Sequence, residues 1–176
     1  MTSLTIYCVH VPVGTGRLIK TGLAGLAGMN EGAVEKAYTY VLNHTKEIVG
    51  RMGSDTRVRQ YCLDDGRKDL HVHIGDMKGL DQNVQFVESS IMVGLSAIVT
   101  GKRVVEGVGV LGAFDTLDSR LLPIGRFGDR EVEMCRQAGL KTMILGGEEA
   151  KEVDYGHVKT VYVKSILDAL PLMLVA

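Results

Sequence analysis

The chain reads as one α+β domain over residues 1–176. Three observations lead there. Alternating stretches rich in β-branched residues are interspersed with longer stretches of near 3.6-residue periodicity. No internal repeat or linker separates them. The composition, 45% hydrophobic and 23% charged, is that of a packed chain rather than a disordered or fibrous one. A chain of 176 residues is long enough to bury roughly 70% of its unfolded surface in a core. It leaves no room for two full-sized catalytic modules.

The elements follow in order. Thr5–Val13 alternates and is rich in β-branched residues, which predicts a strand. Gly14-Thr15-Gly16 marks a turn, and Arg17–Thr21 would return as the second strand of a hairpin. Gly22–Gly28 is a glycine-rich loop. Glu31–Gly50 predicts a helix, with Val34, Ala37, Tyr38, Val41, Ile48 and Val49 on its apolar face and glycines 50 and 53 at its end. Arg51–Lys68 is polar, with a short element around Val58–Leu63. Asp69–Ile74 predicts a strand and Gly75–Asn83 a loop.

Val84–Thr100 is the strongest helix, with Gly101 placed as its C′ residue. Val104–Phe114 and Arg120–Ile124 read as two strands joined by the turn Asp115–Ser119. Asp129–Ala138 reads as a helix stopped by Gly139. Lys141–Leu145 predicts a strand, Gly147–Val153 a short helix and Thr160–Val163 another strand. Ser165–Leu170 starts a last helix, with Ser165 and Asp168 at capping-box spacing. The tail Leu170–Ala176 is very apolar and is expected to pack on the chain's own core or on a neighbour.

Charge and cysteine content narrow the function classes. Twenty basic against twenty-one acidic residues give a net charge of −1, without a basic arm, so nucleic acid is not an expected partner. The longest apolar run, Ile91–Val99, falls far short of the ~20 residues a spanning helix needs, so no membrane association is expected. The first residues carry neither a basic region nor a small-residue cleavage site. Cys8, Cys62 and Cys135 are odd in number and far apart, which argues against a disulfide framework or a CxxC zinc site. The expected compartment is the reducing cytoplasm. Asn43-His44-Thr45 is then a chance glycosylation sequon.

Four local patterns bear on chemistry. Gly14–Thr21 approaches the phosphate-cradling pattern G-x-x-x-x-G-K-[ST], but Ile19 stands where a glycine must let the backbone approach phosphate. A hairpin turn is the expectation. His71 and His73 share one face of a predicted strand and could supply half of a zinc site, with Asp76 as a further ligand. A supporting or core role is favoured for both, and no metal or cofactor is expected. Ser89 and Ser90 lie inside the predicted helix, and a serine nucleophile needs a base within hydrogen-bond reach. Cys8 and Cys135 are expected in the core.

The order of the longer motifs resembles the proteolytic domain of ATP-dependent Lon proteases. The residues that carry the resemblance are Lys20-Thr21-Gly22-Leu23-Ala24-Gly25, Arg67-Lys68-Asp69-Leu70-His71-Val72-His73-Ile74, Gly94-Leu95-Ser96-Ala97-Ile98-Val99-Thr100-Gly101, Leu122-Pro123-Ile124-Gly125 and Ala138-Gly139-Leu140-Lys141-Thr142. They run in register from about Thr5 to Leu170. The resemblance implies the Lon proteolytic fold, related to the second domain of ribosomal protein S5.

In that family a serine and a lysine form the catalytic dyad. The serine sits in a P-K-D-G-P-S-A-G loop before the helix that ends in Thr-Gly, and the lysine follows the L-P-I-G motif. A lysine made neutral by burial takes the serine proton, and the alkoxide attacks the peptide carbonyl. Here the ungapped count back from Thr100-Gly101 places Phe86 at the nucleophile position. The lysine position falls on Gly128 counting forward from Gly125, or on Asp129 counting back from Gly139. Phenylalanine has no nucleophilic atom, and neither of the other two residues is a base of the required kind.

The resemblance therefore implies a Lon-type domain without its dyad, a pseudoprotease acting as an oligomerisation or partner-binding platform. Family members form hexameric rings, usually with an AAA+ ATPase module fused to the proteolytic domain. No part of this chain accommodates such a module, so the resemblance implies that it was either cut away from a parent protein or belongs to another chain. The implied partners are copies of the chain in a ring and polypeptide clients. Two other readings stay open. One is an active Lon-type serine peptidase with Ser89 or Ser90 as a rewired nucleophile. The other is a module that binds a small anionic ligand near Arg126, Asp129 and Arg130.

Overall fold

Helix α2 (Glu88–Thr100) is the axis of the fold, because its sequence is apolar on every side. All its residues except Val99 are buried, as expected of a helix without a polar face. The computed structural model describes residues 5–10, 19–23, 31–53, 71–74 and 88–176. Expected features at 11–18, 24–28, 54–70 and 75–87 lie outside the described residues.

Around α2 the first half of the chain supplies a small sheet and one long helix. Strands β1 (Thr5–His10), β2 (Ile19–Leu23) and β3 (His71–Ile74) form an antiparallel sheet in the order β2-β1-β3. Ile6 pairs with Gly22 on one side and Ile74 on the other, so β1 and β2 pair antiparallel as the expected hairpin requires, while Gly22 and Leu23 belong to β2 and not to the expected loop. Helix α1 (Glu31–Met52) packs on α2 through Ala33, Ala37, Tyr40, Val41 and Ile48, all buried. It continues through Gly50 and stops at Gly53, whose N–H reaches the Val49 carbonyl at 2.8 Å.

The second half builds a mixed four-stranded sheet in the order β5-β6-β8-β7. Strands β5 (Val108–Val110), β6 (Thr142–Gly146) and β8 (Lys159–Val163) run parallel, and β7 (Lys151–Asp154) is antiparallel to β8. The period-two geometry of β6 divides its side chains between two cores. Ile144 joins α1, α2 and α4 (Ile166–Met173) on one face. Met143 and Leu145 join Met134, Cys135 and Ala138 of the α3 region (α3, Asp129–Gln137) on the other. Helix α3 ends as expected at Gly139. The Gly139 and Leu140 N–H groups reach back to the Arg136 and Cys135 carbonyls at 3.1 and 2.8 Å. Such a closure needs the left-handed φ of +73° that glycine adopts at no steric cost.

Three expectations are corrected. Val104–Phe114 is not one strand. It divides into β4 (Arg103–Val104), β5 and an isolated bridge at Phe114, interrupted at Gly107 where φ is +78°. Arg120–Ile124 makes only two isolated bridges, Leu121 to Phe114 and Arg120 to Ser165. Pro123 follows and has no N–H to extend a ladder. Gly147–Val153 is not a helix. Its end is strand β7, drawn into the sheet by the turn Asp154–Val158, where the Asp154 carboxylate accepts the Gly156 N–H at 2.7 Å and the Tyr155 N–H reaches the Val158 carbonyl.

The apolar tail packs on the chain's own core. Leu170, Met173 and Leu174 are buried, and β9 (Leu174–Val175) pairs with β4. The Ser165 hydroxyl caps α4 by accepting the Leu167 N–H at 3.1 Å. The other half of the expected capping box is diverted, because the Asp168 carboxylate pairs with Arg51 at 2.9 Å. Among the described residues no helix is long and apolar enough to cross a membrane.

Candidate functional site

The two hydroxyls singled out by the sequence sit in the first turn of α2 and are both fully buried. The fold places them under the loop that follows β5. The Ser89 N–H donates to the Gly112 carbonyl at 3.2 Å, and the Ser90 hydroxyl donates to the Val110 carbonyl at 2.8 Å. Ser90 is thus engaged with the backbone of the neighbouring strand. The Ser89 hydroxyl has no hydrogen-bond partner, and so no general base in contact, among the described residues.

Among the described residues, Glu88 beside Ser89 belongs to a separate arrangement. Glu88, 7% exposed, accepts from the Lys36 ammonium of α1 at 2.6 Å. That ammonium also lies 4.8 Å from the centroid of the Phe114 ring. Tyr40, one turn along α1, meets Phe114 edge-on at 4.9 Å and stacks on His44 at 3.9 Å. Its hydroxyl is hydrogen-bonded to the Ser119 hydroxyl at 2.5 Å. Burial, the largest influence, raises the Tyr40 pKa, so the phenol keeps its proton and cannot serve as a base. The Lys36 amine faces a carboxylate and a ring rather than a serine. Lys102 lies beyond the far end of α2, whose last residue, Thr100, is about 16 Å of helical rise from Ser89.

Phe86 lies outside the described residues. Gly128 and Asp129 stand at the start of α3. Gly128 is its N-cap and has no side chain to contribute. Its N–H donates to the Glu131 carboxylate at 2.9 Å, the reciprocal half of a capping box. Asp129 is exposed, as are Arg126 and Arg130. The Glu131 carboxylate, bonded to the Gly128 N–H, already places a negative charge at this terminus.

The remaining sequence candidates are dispersed. Ile19, Lys20 and Thr21 belong to strand β2 instead of the helix start that a phosphate loop requires. His71 and His73 lie in β3, paired with His10 and Tyr7. Among the described residues no group of three or more histidines, cysteines and carboxylates could hold a metal. The Cys135 thiol is buried and pushed up to about 12, chiefly by desolvation and then by the Glu131 charge, so it is not poised as a nucleophile. In the sequon, the Thr45 hydroxyl is bonded to the Val41 carbonyl at 2.7 Å within α1.

Lys36, Tyr40, Glu88, Phe114 and Ser119 escaped the sequence reading. Lys36 and Glu88 are 52 residues apart, and no local pattern joins them. Tyr40 was legible in principle, since it follows Ala33 and Ala37 on the buried stripe of α1.

The buried serines make a pair of opposite expectations. Ser89→Ala removes an unsatisfied buried hydroxyl and is expected to stabilise the protein by about 1 kcal/mol. Ser90→Ala removes a satisfied one and is expected to cost about 1 kcal/mol. Urea denaturation of the two variants beside the parent protein measures both. A loss of stability in Ser89→Ala would mean that its hydroxyl has a partner.

No protein-family model matches the chain, and no curated protein matches it.

Proposed function

We propose that this chain is a Lon-type proteolytic domain that has lost its Ser–Lys dyad and works as a platform for self-assembly or for holding a polypeptide partner. The absence of catalysis is supported by the residues at the two family positions, Phe86 and Gly128 or Asp129, together with the start of α2, where the alternative nucleophiles Ser89 and Ser90 lie. Both hydroxyls there are buried, one is bonded to the Val110 carbonyl, and the nearby Lys36 amine is paired with Glu88. The family-like lysine position at the start of α3 holds Gly128 or Asp129. A Ser–Lys mechanism requires an amine that can accept the hydroxyl proton and a hydroxyl that a peptide carbonyl can reach. The buried hydroxyls and the Glu88-bound amine among the described residues fit that requirement poorly, which supports the reading.

The mixed sheet with helices on both faces and the family-like glycine stops at Gly101 and Gly139 support the scaffold half of the reading. In this reading the fold is the Lon proteolytic fold, and any ATPase motor belongs to a parent protein or to another chain.

The test uses a fluorophosphonate probe and a peptidyl boronate, together with an unfolded polypeptide as substrate. The expected result is no active-site labelling and no cleavage. Labelling that disappears in Ser89→Ala or Ser90→Ala would overturn the proposal and establish the active-peptidase alternative.

A further inference from the structure

We draw no further inference here: the strongest candidate, the outer edge of the mixed sheet along β7, carries none, because its charged side chains are already engaged, Lys151 over the Tyr162 ring, Glu152 with Lys159 and Asp154 with the Gly156 N–H, and nothing among the described residues shows what would cover it.

Discussion

Gly146→Ala is expected to lower stability by about 3 kcal/mol, a large share of the ~5–15 kcal/mol that holds a typical domain folded. A Cβ at this position would collide with the Leu121 carbonyl oxygen and lie 2.7 Å from both the Leu121 carbonyl carbon and the Leu122 carbonyl oxygen. All three are backbone atoms, so no side-chain rotation relieves the overlap. Leu121 is itself tied down, because its N–H donates to the Lys164 carbonyl at 2.9 Å while the Leu122 N–H donates to Ala113 at 2.8 Å. The end of β6 or the crossing segment must move, and the side chains of both cores move with it.

In a chain of this size the loss corresponds to a fall in melting temperature of about 6–12 °C. Gly50→Ala is the contrasting case. Gly50 lies within α1 with nothing near the position of a Cβ, so alanine should stabilise by about 0.5–1 kcal/mol. Thermal unfolding of the two variants gives the comparison. Equal effects of the same sign would contradict the crossing of Leu121 and Leu122 over β6.

Phe114→Ala is expected to cost about 3–5 kcal/mol, the range for emptying an aromatic site in a core. The ring is fully buried, meets Tyr40 edge-on, lies under the Lys36 ammonium and sits on the bridge to Leu121. Truncation leaves a cavity where α1, α2 and the Phe114–Leu121 segment meet. It also leaves the Lys36–Glu88 pair without the apolar surface that covers it. Phe114→Leu keeps most of the volume and should cost under about 1.5 kcal/mol. Urea midpoints that fall in the order parent, Leu, Ala, at constant slope, are the expected outcome. A Phe114→Ala variant as stable as the parent would show that the ring is not a core residue.

The parts of the fold that were legible in the sequence share one property: their cause is local. The apolar run of α2 and the stripe on α1 follow from which residues repeat at helical spacing. The stops at Gly53, Gly101 and Gly139 follow from one residue type at one backbone angle. The missed parts depend on partners far along the chain. The segment after Gly147 is acidic and alanine-containing, which reads as helical. It ends as strand β7 because β8 offers a ladder from Lys159 to Tyr162. Arg120–Ile124 has the composition of a strand, yet only Leu121 and Arg120 find bridge partners.

The same division runs through the candidate site. That Gly128 and Asp129 are not lysines, and that Ser89 and Ser90 lie within a helix ending at Thr100, could be read from the sequence. Their burial could not, because it depends on Gly112 and Val110 folding back over the first turn of α2. The Lys36–Glu88 pair and the Tyr40–Ser119 bond likewise join residues 52 and 79 positions apart. By itself the sequence determined the α+β class, the main helices and the antiparallel pairing of the first two strands, all consequences of residue type and short-range spacing. Tertiary structure alone decided which strands pair, which hydroxyls lose water and which apolar side chains stay outside. Hydrogen bonding and burial are settled by neighbours that the folded chain brings together across long stretches of sequence.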